Sequence, residues 1–284
     1  MLLTLASVFW GVSFIFTKEL FLTEEHLTVT VLIAMRLAIA TLVMVPLLLL
    51  TRKMQKIKKS DIKWFLLLAL CEPFIYHLCE TTGVQLVSGS LASVIVATIP
   101  LFVPFGIWVA YHKKPKSTVL VGVTLSLIGV SVMLIGGEGL RGNIKGMLFL
   151  TGAVAIAVVY TLLLVKVVDH YNPLVITTWQ NIIGLAYFIP LALCFDARQI
   201  PLLSYSPKML TLLLSLCICC STFAYSFYIH GVRRLGAAEA CIFNNTIPIF
   251  SLIAAVIMGQ ETYGWAKLVG IVVVIAGVII AQKE

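Results

Sequence analysis

Acidic side chains are scarce in this chain: only 12 of its 284 residues are Asp or Glu. Its three aspartates, Asp61, Asp169 and Asp196, stand near the ends of apolar runs, which excludes the paired aspartates of an intramembrane protease. Charge of either sign is thin. Charged residues make up 11% and apolar residues 61%, whereas a soluble domain carries roughly 25% charged residues. A soluble fold of this length still exposes a large area, so the solvent that suits this surface is lipid. No G-x-S-x-G, H-E-x-x-H or Walker A motif occurs, so the sequence gives no ground for serine hydrolase or zinc peptidase chemistry or for ATP hydrolysis. The seven cysteines, Cys71, Cys79, Cys194, Cys217, Cys219, Cys220 and Cys241, are scattered, and no C-x-x-C is matched by a second pair or by nearby histidines. They read as small core residues, so no metal and no cofactor is expected. The net charge of +8 is not gathered into a groove-like cluster, so no nucleic acid partner is expected. The basic residues sit between apolar runs, where they act as topology signals.

What is abundant is long apolar segments. A helix rises ~1.5 Å per residue, so about 20 residues cross a hydrocarbon core. Ten segments meet that length: 2–20, 28–50, 62–84, 89–111, 117–136, 145–167, 173–195, 207–232, 236–258 and 264–281. Turn and polar residues separate them, among them Ser88-Gly89-Ser90, Tyr171-Asn172-Pro173 and Arg233-Arg234-Leu235-Gly236. Met1 to Thr17 carries no charge and lacks the basic start and small-residue cleavage site of a signal peptide, so it is expected to be a retained first helix. The fold class expected is an all-α membrane protein.

The chain also repeats itself. Shifted by 148 residues, Gly83-Val84 falls on Gly231-Val232 and Thr98-Ile99-Pro100 on Thr246-Ile247-Pro248. Phe102 falls on Phe250, Gly122 on Gly270, Gly129 on Gly277 and Lys18 on Lys166. Pro46 falls on Pro190 if the first loop is four residues shorter in the second half. Each half then holds five helices (1–136 and 145–284, with an external linker at 137–144). An odd number makes the second half cross upside down. The charges agree with two inverted five-helix repeats. With a cytoplasmic N-terminus, the inside loops hold 13 of the 20 Lys and Arg and the outside loops and flanks 6, with Arg36 alone inside a span. Basic Lys113-Lys114 aligns with Glu261-Thr262, and neutral Gln85-Leu86 with Arg233-Arg234. The basic residues have moved to the opposite loops, as inversion requires. Inverted repeats are a common plan of secondary transporters.

The run from Leu91, LASVIVATIPLFVPFGIWVAYHKKPKSTVLVGVTLSLIGVSVMLIG, and the run from Ala238, AEACIFNNTIPIFSLIAAVIMGQETYGWAKLVGIVVVIAGVIIA, resemble the fourth and fifth helices of an EamA-type repeat. Trp10-Gly11, Ser13 and Lys18 resemble the first helix and Arg36 fits the second. The resemblance covers nearly the whole chain and points to the drug/metabolite transporter superfamily. Lys113 departs from the pattern where the family often has a glutamate; Glu261 keeps it. The resemblance implies a ten-helix bundle in the cell membrane, multi-pass, with both termini cytoplasmic. It also implies traffic of a small metabolite, often export of amino acids or related compounds.

Ionisable groups deep in a bilayer cost at least ~2.5 kcal/mol on insertion scales, so they mark pathways or buried pairs. They are Arg36 in the second helix and Glu72, His77 and Glu80 in the third. Glu72, Tyr76, Glu80 and Gly83 share one helix face, and Pro73 frees a backbone carbonyl beside Glu72. The functional reading is a solute cavity with protonatable carboxylates, Glu72 and Glu80, for proton coupling. The structural alternative is an Arg36–glutamate ion pair tying two helices together, with His77 as an interior histidine. In the second half Cys220, Tyr225 and Tyr228 replace Glu72, His77 and Glu80, giving a cavity acidic on one wall and aromatic on the other. Trp179, Gln180, Asn244 and Asn245 add an indole and amides, and Pro100 and Pro248 are expected to kink helices that line the cavity. Gly122 with Gly129 and Gly270 with Gly277 are expected to let helices pack closely, within the chain or in a homodimer. A secondary transporter working by alternating access is the leading reading. A membrane-embedded enzyme, or a non-transporting receptor or assembly factor, is the alternative.

Overall fold

The structure, a computed structural model, describes residues 1–135, 143–260 and 264–281. The linker expected at 137–144, all but its last two residues, lies outside the described residues, as do Arg141, Glu261 and Lys283. The described residues form helices and no strands. In chain order these are α1 (Leu2–Thr23), α2 (Val29–Leu50), α3 (Ile62–Leu86), α4 (Gly89–Tyr111), α5 (Ser117–Ile135), α6 (Ile144–Leu164), α7 (Pro173–Phe195), α8 (Pro207–Leu235), α9 (Ala237–Ile257) and α10 (Trp265–Ala281). Eight of them are long and apolar enough to cross a membrane. The apolar runs of α5 and α10, Ser117–Gly129 and Leu268–Ala281, are shorter. On length and composition eight spans are therefore supported where the sequence suggested ten.

Short side chains set the helix starts. Thr28, Ser88, Asn143, Asn172 and Ser206 each accept a hydrogen bond from a backbone N–H two or three residues on. This satisfies a donor that has no partner inside the helix. Gly236 joins α8 to α9 at φ +96°, a conformation that side chains rarely tolerate. The outer surface is apolar: Leu42, Val109 and Ile257 are 73, 76 and 78% exposed. A multi-pass membrane protein is the setting in which such a surface is covered.

Four helices are interrupted, and the interruptions position the interior. In α3 the turn at Leu70–Ile75 widens to i→i+5 bonding, with Glu72 extended at φ −145°, ψ 116°, because the residue before a proline avoids the helical region. α8 widens in the same way at Leu216–Phe223. α4 breaks at Ala97-Thr98 and restarts with Pro100 in its first turn. α9 narrows to a 3₁₀ stretch at Ile242–Thr246 and restarts with Pro248 in its first turn.

The helices pack in matched pairs. α2 lies against α7 and α5 against α10, α3 packs on α6 as α8 does on α1, and α4 packs on α6 as α9 does on α1. The ends match too. Tyr171, in the turn after α6, donates to Asp61 at 2.7 Å and accepts from the Lys58 N–H at 3.1 Å. At the other end Glu24, after α1, accepts from the Ser204 N–H at 3.2 Å. The Tyr171 hydroxyl holds the Asp61 carboxyl below its ordinary range.

Glycine sets the α5–α10 distance. A Cβ on Gly122 would lie 2.5 Å from the Gly277 carbonyl oxygen, and one on Gly129 2.6 Å from that of Gly270. The glycines that sequence left open to a homodimer thus face each other within the chain. At Gly152 the nearest atom to an added Cβ is 3.9 Å away. Gly122→Ala and Gly129→Ala should each lower thermal stability in detergent, by about 1–3 kcal/mol for overpacking. Gly152→Ala should be neutral or stabilising. Equal melting of all three variants and the parent would show that the α5–α10 contact is not close.

Candidate functional site

A narrow cavity of about 40 Å³ lies between the two halves of the chain. Its space threads between side chains. α1 contributes Trp10, Ser13 and Phe14, α2 Arg36, and α3 Glu72, Tyr76, His77 and Glu80; from the second half come Tyr160 and Thr161 of α6, Tyr225 and Tyr228 of α8 and Asn244 of α9. A smaller pocket of about 10 Å³ on the far side of Glu72 and Tyr225 is lined by Gln180, Asn181 and Ser221 among others.

Glu72 is the best-held group. Pro73 cannot donate, and the Glu72 carbonyl accepts from Gln180 Nε2 at 2.9 Å. Gln180 Oε1 accepts in turn from Tyr160 at 3.4 Å. The Glu72 carboxylate accepts from the Tyr225 hydroxyl. A Cβ on Gly184 would lie 2.3 Å from Pro73 Cγ, so the absent side chain on α7 is what lets the proline ring close on that helix. The Tyr225 oxygen is 3.5 Å from His77 Nε2, and His77 Nδ1 is 3.3 Å from Glu80 Oε2. Trp10 packs on Tyr225 and Tyr228, with ring centroids 5.2 and 5.3 Å apart.

The ion pair expected for Arg36 does not form. No carboxylate lies within 4.0 Å of it among the described residues. Its guanidinium donates instead to Ser221 Oγ, from Nη2 at 3.1 Å and Nε at 3.3 Å. The reason is packing: α2 runs against the widened stretch of α8, while Glu80 is taken by His77 one turn away on its own helix. Two other candidates sit elsewhere. Trp179 is one residue, and so ~100° of helix rotation, from Gln180; its Nε1 donates at 3.2 Å to the carbonyl of Gln55 in the loop before α3. Asn245 is fully buried and does not line the cavity, while Asn244 does. Among the described residues, Asn244 Oδ1 and both amide atoms of Asn245 have no partner. Trp10, Ser221 and Gly184 were missed as site residues. Trp10 stood out in sequence only as part of a motif, and the other two carry no signal until α7 and α8 are placed against α2 and α3.

A third cavity, of about 430 Å³, lies at the helix ends near the α4–α5 and α8–α9 turns. Lys113, Lys114, Lys116 and Arg233 line it over an apolar floor that includes Ile107 and Val168.

A double-mutant cycle tests the Arg36 contact. Ser221→Ala should cost about 1.5–3 kcal/mol, the range for a hydrogen bond to a charged group. Adding it to Arg36→Ala should cost much less than it does alone. Rescue of Arg36→Ala by Glu72→Gln or Glu80→Gln would restore the ion pair and remove the serine contact.

The EamA-like transporter family matches the chain twice, at residues 1–135 and 144–282. An uncharacterized transporter of Bacillus subtilis, YetK, is 24% identical over 267 residues, covering 91% of this chain and 80% of its own length. An uncharacterized transporter of Archaeoglobus fulgidus is 23% identical over 282 residues, covering 99% of this chain and 98% of its own. One crystal structure superposes with a TM-score of 0.75 at 16% identity, over 98% of both chains, which extends the likeness to the fold. With both matched regions together spanning nearly all of the sequence, the chain belongs to the EamA-like transporter family.

Proposed function

We propose that this protein is a secondary active transporter, not an enzyme. It moves a small metabolite, an amino acid or related compound, across the cell (cytoplasmic or inner) membrane by alternating access coupled to protons. In this reading it crosses the membrane ten times, as inverted repeats at 1–136 and 145–284 joined outside by 137–144, with both termini cytoplasmic. The observation that carries the reading is the cavity between the halves, with acids on α3 and aromatics on α8. Export is the direction drawn from the family resemblance.

The contacts support the repeat. An exchange of halves turns the α3–α6 contact into α8–α1, and α4–α6 into α9–α1. It turns Gly122 on Gly277 into Gly270 on Gly129. His77 touches Tyr225, and Ser126 Oγ lies 3.4 Å from the Val274 carbonyl oxygen. In both contacts the two residues are 148 apart, as for residues lying on a pseudo-two-fold axis. Two halves of one design can trade conformations, which supplies an inward-open and an outward-open state.

The site chemistry supports the solute class. An amino acid carries both charges, and the cavity offers both without pairing them: Arg36 for a carboxylate, and Glu72 and Glu80 for an ammonium group, beside the Trp10 and Tyr228 rings, which favour cations over their faces. The basic cavity near Lys113 and Arg233 fits a cytoplasmic mouth under the positive-inside rule. Family membership and the lack of a nucleophile–base motif point away from the enzyme alternative.

Topology is tested by labelling single cysteines in a cysteine-free background. In intact cells Lys56→Cys and Lys114→Cys should be shielded from an impermeant thiol reagent, and Glu25→Cys and Arg198→Cys should react. The reverse pattern would invert the assignment. Coupling is tested in proteoliposomes with radiolabelled L-amino acids. Glu72→Gln should reduce accumulation driven by a pH gradient about tenfold or more while exchange without a gradient persists. If Glu72→Gln and Glu80→Gln both keep wild-type proton-driven uptake, the carboxylates are structural.

A further inference from the structure

We propose that Glu80, His77, Tyr225 and Glu72 form one proton wire, and that its central link, between His77 and Tyr225, is made and broken as the halves move. The inference rests on the proton-coupled reading above and assigns Tyr225 and His77 the transfer role within it. Glu72 and Glu80 are eight residues apart on α3, and among the described residues their carboxyl groups make no hydrogen bond to each other. The side chains between them close that gap in three steps: Glu80 to His77 Nδ1 at 3.3 Å, His77 Nε2 to the Tyr225 hydroxyl at 3.5 Å, and Tyr225 to Glu72.

The transfer balances. The starting imidazole carries its hydrogen on Nε2. A proton on Glu80 passes to Nδ1, the Nε2 proton passes to the Tyr225 oxygen, and the Tyr225 proton passes to Glu72 Oε1. Glu80 ends ionised, Glu72 ends protonated, and the imidazole has changed tautomer; the reverse sequence resets it. Tyr225 already donates to Glu72 in the structure, which is the starting arrangement.

Among the described residues the wire does not branch. Of the polar groups facing it, Arg36 of α2 donates to Ser221, Tyr160 of α6 to Gln180, and Cys220 of α8 to the Phe9 carbonyl at 3.1 Å. The hydroxyls of Tyr76 and Tyr228 make no hydrogen bond to a member of the wire among the described residues, and Trp10 meets Tyr225 edge-on through its ring. Two links join α3 of the first half to α8 of the second, Tyr225 to Glu72 and His77 to Tyr225, and the second is the longer, at 3.5 Å. Rocking of the halves would open this link first, so proton transfer is confined to one conformational state, as coupling requires.

The test needs no solute. Purified protein in liposomes is given a light-triggered pH jump, and the carboxylic C=O infrared bands are followed in time, assigned by their loss in Glu72→Gln and Glu80→Gln. In the wild type the Glu80 band should precede the Glu72 band. In Tyr225→Phe and in His77→Gln the Glu80 band should keep its rate while the Glu72 band slows about tenfold or more. The two variants cut the wire at different atoms, so either one that folds decides the matter. Glu72 protonating at the wild-type rate in a folded variant overturns the wire and leaves proton coupling standing. A wild-type protein in which Glu72 never changes protonation overturns the coupling reading, and the wire with it.

Discussion

A carboxylate deep in a bilayer must find partners, because lipid offers none and leaving it bare costs at least ~2.5 kcal/mol. The interior of this protein is organised around meeting that requirement at Glu72. Pro73 holds Glu72 in an extended conformation, so the Glu72 carbonyl leaves the helical ladder and Gln180 of α7 takes it. Gly184, one turn further along α7, leaves the space that the proline ring fills. Tyr225 of α8 holds the carboxylate. One acidic residue thus fixes three helices from both halves of the chain, and the cavity is the space they leave beside it.

The scaffold is built from exchangeable parts, but the lining is not. Helix contacts, glycine contacts and interrupted turns all recur when the halves are swapped. At the cavity the recurrence stops: the positions of Glu72, His77 and Glu80 are held in the second half by Cys220, Tyr225 and Tyr228. A symmetric frame keeps the two proposed end states close in energy. Under the proposed function, an asymmetric lining gives the solute and the proton a defined place within them. Substitutions in the frame and in the lining therefore act on different quantities, the first on the balance of states and the second on what is carried.

The helices, most of the cavity and three of the four interrupted turns were legible in sequence because their causes are local, while the widening of α8 at Leu216–Phe223, a stretch that holds no proline, was not. Apolar runs of membrane length, prolines inside them and two glutamates on one face of α3 declare themselves without knowledge of neighbours. Orientation around a helix was harder. Gln180 and Trp179 are adjacent and both polar-tipped, yet one holds Glu72 and the other reaches a loop; Thr177, Thr178, Trp179, Gln180 and Asn181 run consecutively around α7, so polar tips point to every side of that turn and no hydrophobic stripe marks its inner face. Partners across helices were not legible either. Arg36 was given a glutamate because charge is the one complementarity visible in a sequence. Its actual partner is a serine that becomes available only where α8 widens.

That serine bears on how the site would work. An Arg36–glutamate pair would satisfy both charges internally, and pulling it apart to admit a solute would leave two uncompensated ions in a medium of low dielectric. A neutral hydroxyl satisfies only part of the guanidinium, which has five donors. Glu80, held by an imidazole on its own helix, is likewise unpaired with Arg36. The two charges therefore line one cavity without cancelling, and a ligand bearing both signs can complete each of them without breaking an ion pair first. Ser221 stands where the repeat has Pro73 in the first half. The same position that opens α3 to expose a carbonyl thus supplies, in α8, the hydroxyl that holds the arginine in place.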